Sequence, residues 1–428
     1  MEYLASGKIA VVDLATREII EEELDDDLVL EKIGGAGITK SLYDRFADQD
    51  PIVLGTGLLT GSLVPGSSLG VITAKSPLTG RVSHVPLSLD AGMELKYSGF
   101  DYIVIKGISE KPVYLWIHDG IADISDSDDL WGQDVWTATD RIRDLMGDDL
   151  IQVIGIGEAG EKGSDLAQIS INYWQSGDRM GFGNLFGKKR LKLIALRGMG
   201  LLEIAEPEEF IEKCGELLSA VKSGGAAKIR GIAAMAAALG AEDIGEWLQP
   251  LTHKHMACFN TSVPTNTFVF LDEDPSLLKE TTVNEPGVLL TDISPLLIFK
   301  RLGLTAADAC HVLKACAKYG IDAAAVAELS ETTGLTDPEA IKGALPDLKG
   351  PVSSSGDAVF SPWAAVGNQE KEGWMRRQAV AYIFGIHPLF ALMAPELTEE
   401  KLLDISSLGT ELELTQETLD EVIADITG

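Results

Sequence analysis

His253, His255 and Cys258 fall in one short stretch, HKHMACFNTSVPTN (253–266). Two imidazoles and a thiol are borderline-soft donors of the kind that hold zinc or iron. Ligands so close along the chain do not fix a coordination geometry, and the same residues also read as a surface loop with one buried cysteine. A second pattern, GIGEAG at 155–160, fits the G-x-G-x-x-G of dinucleotide-binding turns. That chemistry needs a helix opening on the turn and an acidic residue near the end of the next strand. Here the turn runs into EKGSDLAQISIN, which reads as a further strand. Two longer loops, PGSSLGVITAKSPLTG (65–80) and GDRMGFGNLFGKKRLK (177–192), combine glycines, hydroxyls and cations. Such loops can cradle a phosphate with backbone N–H groups while Lys or Arg supplies charge. Tight sheet turns beside a solvated basic strip give the same composition. No Ser/His/Asp arrangement and no Cys/His dyad stands out from spacing.

The elements that must position these residues change character once along the chain. Residues 1–205 are β-rich: GKIAVVDLATREIIEEEL has the signature of a hairpin, and PIVLGTG, SLGVITAK, DYIVIKG, PVYLWIHDG, LIQVIGIG and LKLIALRG read as strands between close Gly and Pro punctuation. Short helices fit between them at GGAGITKSLYDRF and VWTATDRIRDLM. Residues 206–349 read as a helical domain, with apolar residues at helical spacing in EPEEFIEKCGELLSAVKSG and in TAADACHVLKACAKYG, where Cys316 sits on the apolar stripe as a small core residue. Residues 350–373 are rich in Pro, Gly and Ser and read as a loop or linker. Residues 374–428 form a C-terminal helical segment: a helix stopped near Pro388, then two segments that each open on Thr with Glu soon after. No internal repeat stands out.

Composition narrows the partners. The 428 residues carry 35 Lys plus Arg against 66 Asp plus Glu, a net charge of −31. So acidic a surface repels nucleic-acid phosphates and anionic lipid, and suits docking onto basic protein surfaces. The four cysteines form no CxxC pair, and a disulfide framework is not expected in a chain so large and Cys-poor. The opening MEYLASGKIAVVDL has no signal-peptide pattern and no apolar run reaches a membrane span of about 20 residues, so a cytoplasmic protein is expected.

Several segments, in order, carry a resemblance: IGGAGITKSLYD (33–44), LGTGLLTGSLVPGS (54–67), TAKSPLTG (73–80), ELKYSGFDYIVIKG (94–107), KPVYLWIHDG (111–120), LWGQDVW (130–136), IGEAGE (156–161) and FGNLFGKKRLKLIALRG (182–198). The chain resembles the tungsten-pterin aldehyde ferredoxin oxidoreductase family across essentially all of 1–205. The likeness continues through CAKYGID (316–322) and returns at QAVAYIFGIHPLF and the closing tail. It implies an α+β fold: an N-terminal double β-sheet domain, arranged as a pseudo-twofold pair that forms the base for a bis-pterin tungsten cofactor, followed by a mainly α-helical region. It also implies a four-iron cluster, held by Cys-x-x-Cys-x-x-x-Cys plus a distant Cys, that passes electrons to ferredoxin.

Against that pattern the chain departs in specific places. The first cluster ligand falls on Cys258, the next two on Thr261 and Thr265, and the distant one on His387. A four-iron cluster requires thiolates, so none is expected here. The family's Asn-Ala-Gly-Gly turn falls on Pro86–Leu89, and two of its arginines fall on Leu69 and Ala36. What survives of the cofactor contacts is Lys75, Ser76, Arg179, Gly181 and Gly183. The resemblance also implies that Cys258 and His387 lie close in space; His255, from the HKHMAC spacing, is the candidate third donor.

Three functions follow as expectations. One is a non-catalytic scaffold or interaction subunit, in a homo- or hetero-oligomer with a redox protein or a complete homologue. The second is an active oxidoreductase of aldehydes or carboxylic acids, with pterin-bound tungsten or molybdenum and electrons relayed through a partner. The third is a small metal- or ligand-binding module holding zinc or iron at Cys258, His387 and His255. The substrate, the partner and the order of 350–373 are not read from the sequence.

Overall fold

A computed structural model describes residues 1–271, 287–350, 352, 358–362 and 371–428. Most of the expected linker, 350–373, therefore lies outside the described residues. Twelve strands build two six-stranded sheets. The first contains β1 (Lys8–Asp13), β2 (Glu18–Glu23), β3 (Ile52–Thr56), β4 (Gly70–Lys75), β5 (Val82–Leu87) and β6 (Tyr102–Lys106), in the order β2-β1-β6-β3-β4-β5. The second contains β7 (Val113–His118), β8 (Ile121–Asp126), β9 (Gln152–Gly155), β10 (Ser170–Ile171), β11 (Trp174–Gln175) and β12 (Leu191–Arg197), in the order β11-β10-β9-β12-β7-β8.

The two orders are one topology used twice. Each half opens on a hairpin, adds three antiparallel strands, and returns its last strand parallel to its first, β6 beside β1 and β12 beside β7. The closing helix–turn–strand units also correspond at equal spacing, Gly92 to Gly107 in the first half and Gly183 to Gly198 in the second. This is the repeat that composition and motif spacing concealed. Its two copies share backbone geometry and few side chains.

Alternation along the strands explains how both faces are filled. In β1, Ala10 and Val12 face the second sheet, while Ile9 and Val11 face helices on the other side. Leu115 and Ile117 of β7, with Ile194 and Leu196 of β12, complete the core between the sheets. Tyr114, Leu193 and Ala195 point the other way, onto the helix Val135–Met146. Strands buried on both faces read as continuous apolar runs, which is why these were legible.

After the double sheet the chain is mainly helical. Within 206–349 the helices are joined by a three-stranded antiparallel sheet that the sequence did not reveal: β13 (Thr252–Met256), β14 (Asn266–Phe270) and β15 (Gly287–Leu290). The loop expected at HKHM is thus an edge strand. It is mostly exposed and carries a single apolar residue, Met256, so no alternation marked it. Cross-strand contacts hold it: the His253 and Phe270 rings lie 3.9 Å apart, and Lys254 Nζ sits 5.4 Å from the Phe268 ring. Near the C-terminus, the helix Lys371–Phe384 stops before the expected Pro388, because Gly385 adopts a left-handed conformation with φ 82°. Thr398 and Thr415 cap the last two helices, Glu399–Thr410 and Gln416–Thr427, as their sequence signals indicate.

Candidate functional site

Of the expected site residues, Cys258 and His387 lie on segments that both bond to the turn between β3 and β4. The turn between β3 and β4 is the hub. Lys96, fully buried, donates to the carbonyls of Leu4 (2.8 Å), Gly57 (3.1 Å) and Leu58 (3.0 Å) and so pins its start. At its far end, Leu69 donates its amide to Gly385 O at 2.9 Å. Gly57 has no room for a side chain: a Cβ would lie 2.0 Å from Gly385 N.

The Cys258 loop and the His387 turn both bond to this hub, and they share Gly66. The Gly66 amide donates to Asn260 O, and Gly66 O accepts the His387 amide, each at 2.8 Å. Asn260 Nδ2 also donates to Val64 O at 2.9 Å. The two segments thus converge. Their side chains have other duties. Cys258 is buried, its sulfur 3.7 Å from Asn266 Nδ2, and burial pushes the thiol up to about 12, with Asp90 adding. His387 is buried and caps the helix Pro388–Met393 by accepting the Phe390 amide at 3.4 Å; burial pushes it down to about 4. His255 stands exposed on β13, its Nδ1 3.1 Å from Thr267 Oγ1. Among the described residues no group of three His, Cys, Asp or Glu side chains is placed to share a metal ion. All four cysteines are buried and unpaired with one another.

The residues expected to face a pterin lie where the two sheets' loops touch. Lys75 ends β4, exposed. Ser76 is buried; its hydroxyl donates to Met180 O at 2.8 Å and accepts the amides of Leu78 (3.1 Å) and Thr79 (3.2 Å). Arg179, 3% exposed, gives Nε and Nη2 to Asp292 Oδ2 at 3.1 and 2.6 Å. Burial works against the guanidinium, but Asp292 and Asp322 hold it above its ordinary value. Gly181 (φ 76°) and Gly183 press against their own chain: a Cβ would meet Asp165 O at 2.4 Å and Gln168 O at 2.5 Å. The replaced positions are likewise built in: Ala36 and Leu69 are buried, Pro86 lies in edge strand β5, and Leu89 turns with φ 54°.

Three acids organise this region without having been singled out. Asp178 accepts the amides of Ile169, Met180 and Phe182 and is pushed by burial up to about 6. Asp322 caps the helix Ala323–Thr333, and burial pushes it up to about 7 against the pull of Arg179. Asp292 pairs with Arg179. The run YGID followed by an alanine-rich helix was a cap signal for Asp322; no local signal marked the other two. Open volume lies beside the loops: a cleft of about 430 Å³ lined by Leu78, Lys162, Ser164, Asp165, Tyr319 and Lys349.

A bis-pterin cofactor needs donors aimed outward at its phosphates, and a four-iron cluster needs thiolates. The residues here do not fit either group: the guanidinium and hydroxyl point to partners within the chain, both glycines abut backbone, and a single thiol stands in the cluster loop.

Comparison with known proteins agrees with the double-sheet base. Residues 9–198 match the family described as aldehyde ferredoxin oxidoreductase, N-terminal domain. The tungsten-containing aldehyde ferredoxin oxidoreductase of Pyrococcus abyssi (strain GE5 / Orsay) is 32% identical over 224 residues, 50% of this chain and 37% of that protein. The aliphatic sulfonate oxidoreductase, WOR-like subunit, of Pyrococcus furiosus (strain ATCC 43587 / DSM 3638 / JCM 8422 / Vc1) is 30% identical over 231 residues, 48% of this chain and 37% of that protein. The match thus spans well under half the length of these curated relatives. The active site complex BamBC of benzoyl coenzyme A reductase, solved with 1,5-dienoyl-CoA, shares the fold at a TM-score of 0.66 and 20% identity, covering 94% of this chain and 65% of that one. No described helix is long and apolar enough to cross a membrane. The double sheet, residues 9–198, is thus an aldehyde ferredoxin oxidoreductase N-terminal domain.

Proposed function

We propose that this chain is a non-catalytic member of the family, a scaffold or interaction subunit that works beside a complete homologue or another redox protein. The observation that carries this reading is the buried Arg179–Asp292 pair. A guanidinium matched to a carboxylate at 2.6 Å, with both groups out of water, has no charge to offer a phosphate. The internal bonds of Ser76 and the solitary Cys258 thiol support the same reading. A relative similar over 231 residues, 48% of this chain, is itself named as a subunit. The net charge of −31 suits a basic partner surface, and a cytoplasmic setting goes with this reading.

Elemental analysis of the protein purified from its native source tests the proposal. Neither tungsten nor molybdenum, together with a second chain that co-purifies, is the expected result. Either metal near one per chain overturns it. Zinc or iron near one per chain without them moves the reading to a small metal site at Cys258 and His387, whose loops converge on Gly66.

A further inference from the structure

Edge strands expose unpaired N–H and C=O groups, and proteins cover them or use them to bind extended peptides. β5 is the edge strand of the first sheet, and its outer side is covered by three residues from the linker. The His84 amide donates to Val359 O at 2.7 Å and the Ser361 amide donates to His84 O at 2.9 Å, a parallel bridge of His84 with Phe360. Phe360 is 4% exposed, its ring between those of His84 (5.4 Å) and Tyr382 (5.1 Å). Ser361 is fully buried; its hydroxyl donates to Gly177 O and accepts the Arg179 amide at 3.2 Å. Val359 is buried in the core formed with the C-terminal helices.

This is the geometry of peptide recognition by strand addition: main-chain bonds to a sheet edge, an aromatic anchor in a pocket, and a polar side chain read by two backbone groups. We infer that the edge of β5, with Tyr382 and the Gly177–Arg179 loop, is a binding groove for an extended peptide with an aromatic residue followed by a hydroxyl residue. The chain fills the groove in cis with Val359–Ser361. Because the occupant is tethered, its effective concentration lies in the millimolar range, and a free peptide of the same sequence competes poorly until the tethered residues are altered. This inference stands whether or not the chain is catalytic.

The test uses the full chain carrying Phe360→Gly and Ser361→Gly, and a fluorescein-labelled peptide GDAVFSPW, the sequence of 356–363. The variant is expected to bind the peptide saturably in anisotropy titrations, at least about tenfold more tightly than the unaltered protein does and about tenfold more tightly than a scrambled peptide. Equal binding to both proteins, or none to a variant with native circular dichroism, overturns the inference. Amide hydrogen exchange of the unaltered protein is a second reading that does not require the variant to fold. The Ser361 amide is expected to be protected to the level of the β4–β5 amides. Exchange at the rate of an exposed loop overturns the inference as well.

Discussion

Asp292→Ala is the sharpest test of how the Arg179 loop is built. The pair is nearly sealed, with side-chain exposures of 3% for Arg179 and 6% for Asp292, and its shortest contact is 2.6 Å. Removing the carboxylate leaves a guanidinium that can neither deprotonate nor reach water. Loss of one partner of such a pair costs about 3–5 kcal/mol. The lower end is expected here, because Asp322 also faces Arg179 and ionises more readily once Asp292 is gone. Replacing both partners, Arg179→Met with Asp292→Leu, removes the stranded charge and is expected to leave stability between neutral and about 4 kcal/mol above the wild type. Urea unfolding followed by circular dichroism and by tryptophan fluorescence measures both, and the double-mutant cycle isolates the coupling. If Asp292→Ala costs less than about 1 kcal/mol, the guanidinium has another outlet, and the argument that it is unavailable to a phosphate fails.

Asp322 titrates near 7 in the fold and near 3.9 when unfolded, so the folded state holds its proton longer and the stability this group contributes declines as pH rises from about 4 to about 7. Asp322→Asn, which can still cap its helix, is expected to stabilise the protein more at pH 8 than at pH 4, by up to about 4 kcal/mol, in unfolding curves measured across that range. An equal effect at both pH values refutes the assignment. Gly183→Ala places a Cβ 2.5 Å from Gln168 O and is expected to cost about 1–3 kcal/mol in the same assay, whereas Gly80→Ala, with nothing within 4 Å but φ 70°, costs about 1 kcal/mol of backbone strain. Comparable losses at the two glycines speak against the close approach at Gly183. Lys96→Met strands the carbonyls of Leu4, Gly57 and Leu58 and is expected to cost about 3 kcal/mol; a neutral result in thermal unfolding contradicts the bonding described for the hub turn.

The long strands were legible because burial on two faces makes them continuous apolar runs, as in IAVV of β1 and LIAL of β12. Helix ends with side-chain caps were legible for a local reason: Thr398 and Thr415 bond to amides three residues away. β13 was not, because an exposed edge strand has no apolar face to alternate. VSHVPL gave a weak signal too, since Pro86 speaks against a strand until that strand is known to be an edge. Around the candidate site the Cys258 and His387 segments converge on Gly66, but the partners of the other named residues were invisible. Asp292 lies 113 positions from Arg179, and Ser361 lies 182 from it.

By itself the sequence determined the family likeness of residues 9–198, the double-sheet base and the residue types on offer at each loop, since these depend on local pattern and on ordered motifs along the chain. Tertiary structure alone decided what those residues do. Whether Arg179 meets a carboxylate, whether Ser76 turns to the opposite loop, and whether β5 keeps an open edge all depend on groups brought together from distant segments. In a buried setting that pairing, rather than residue identity, fixes which charges and donors are left to bind anything else.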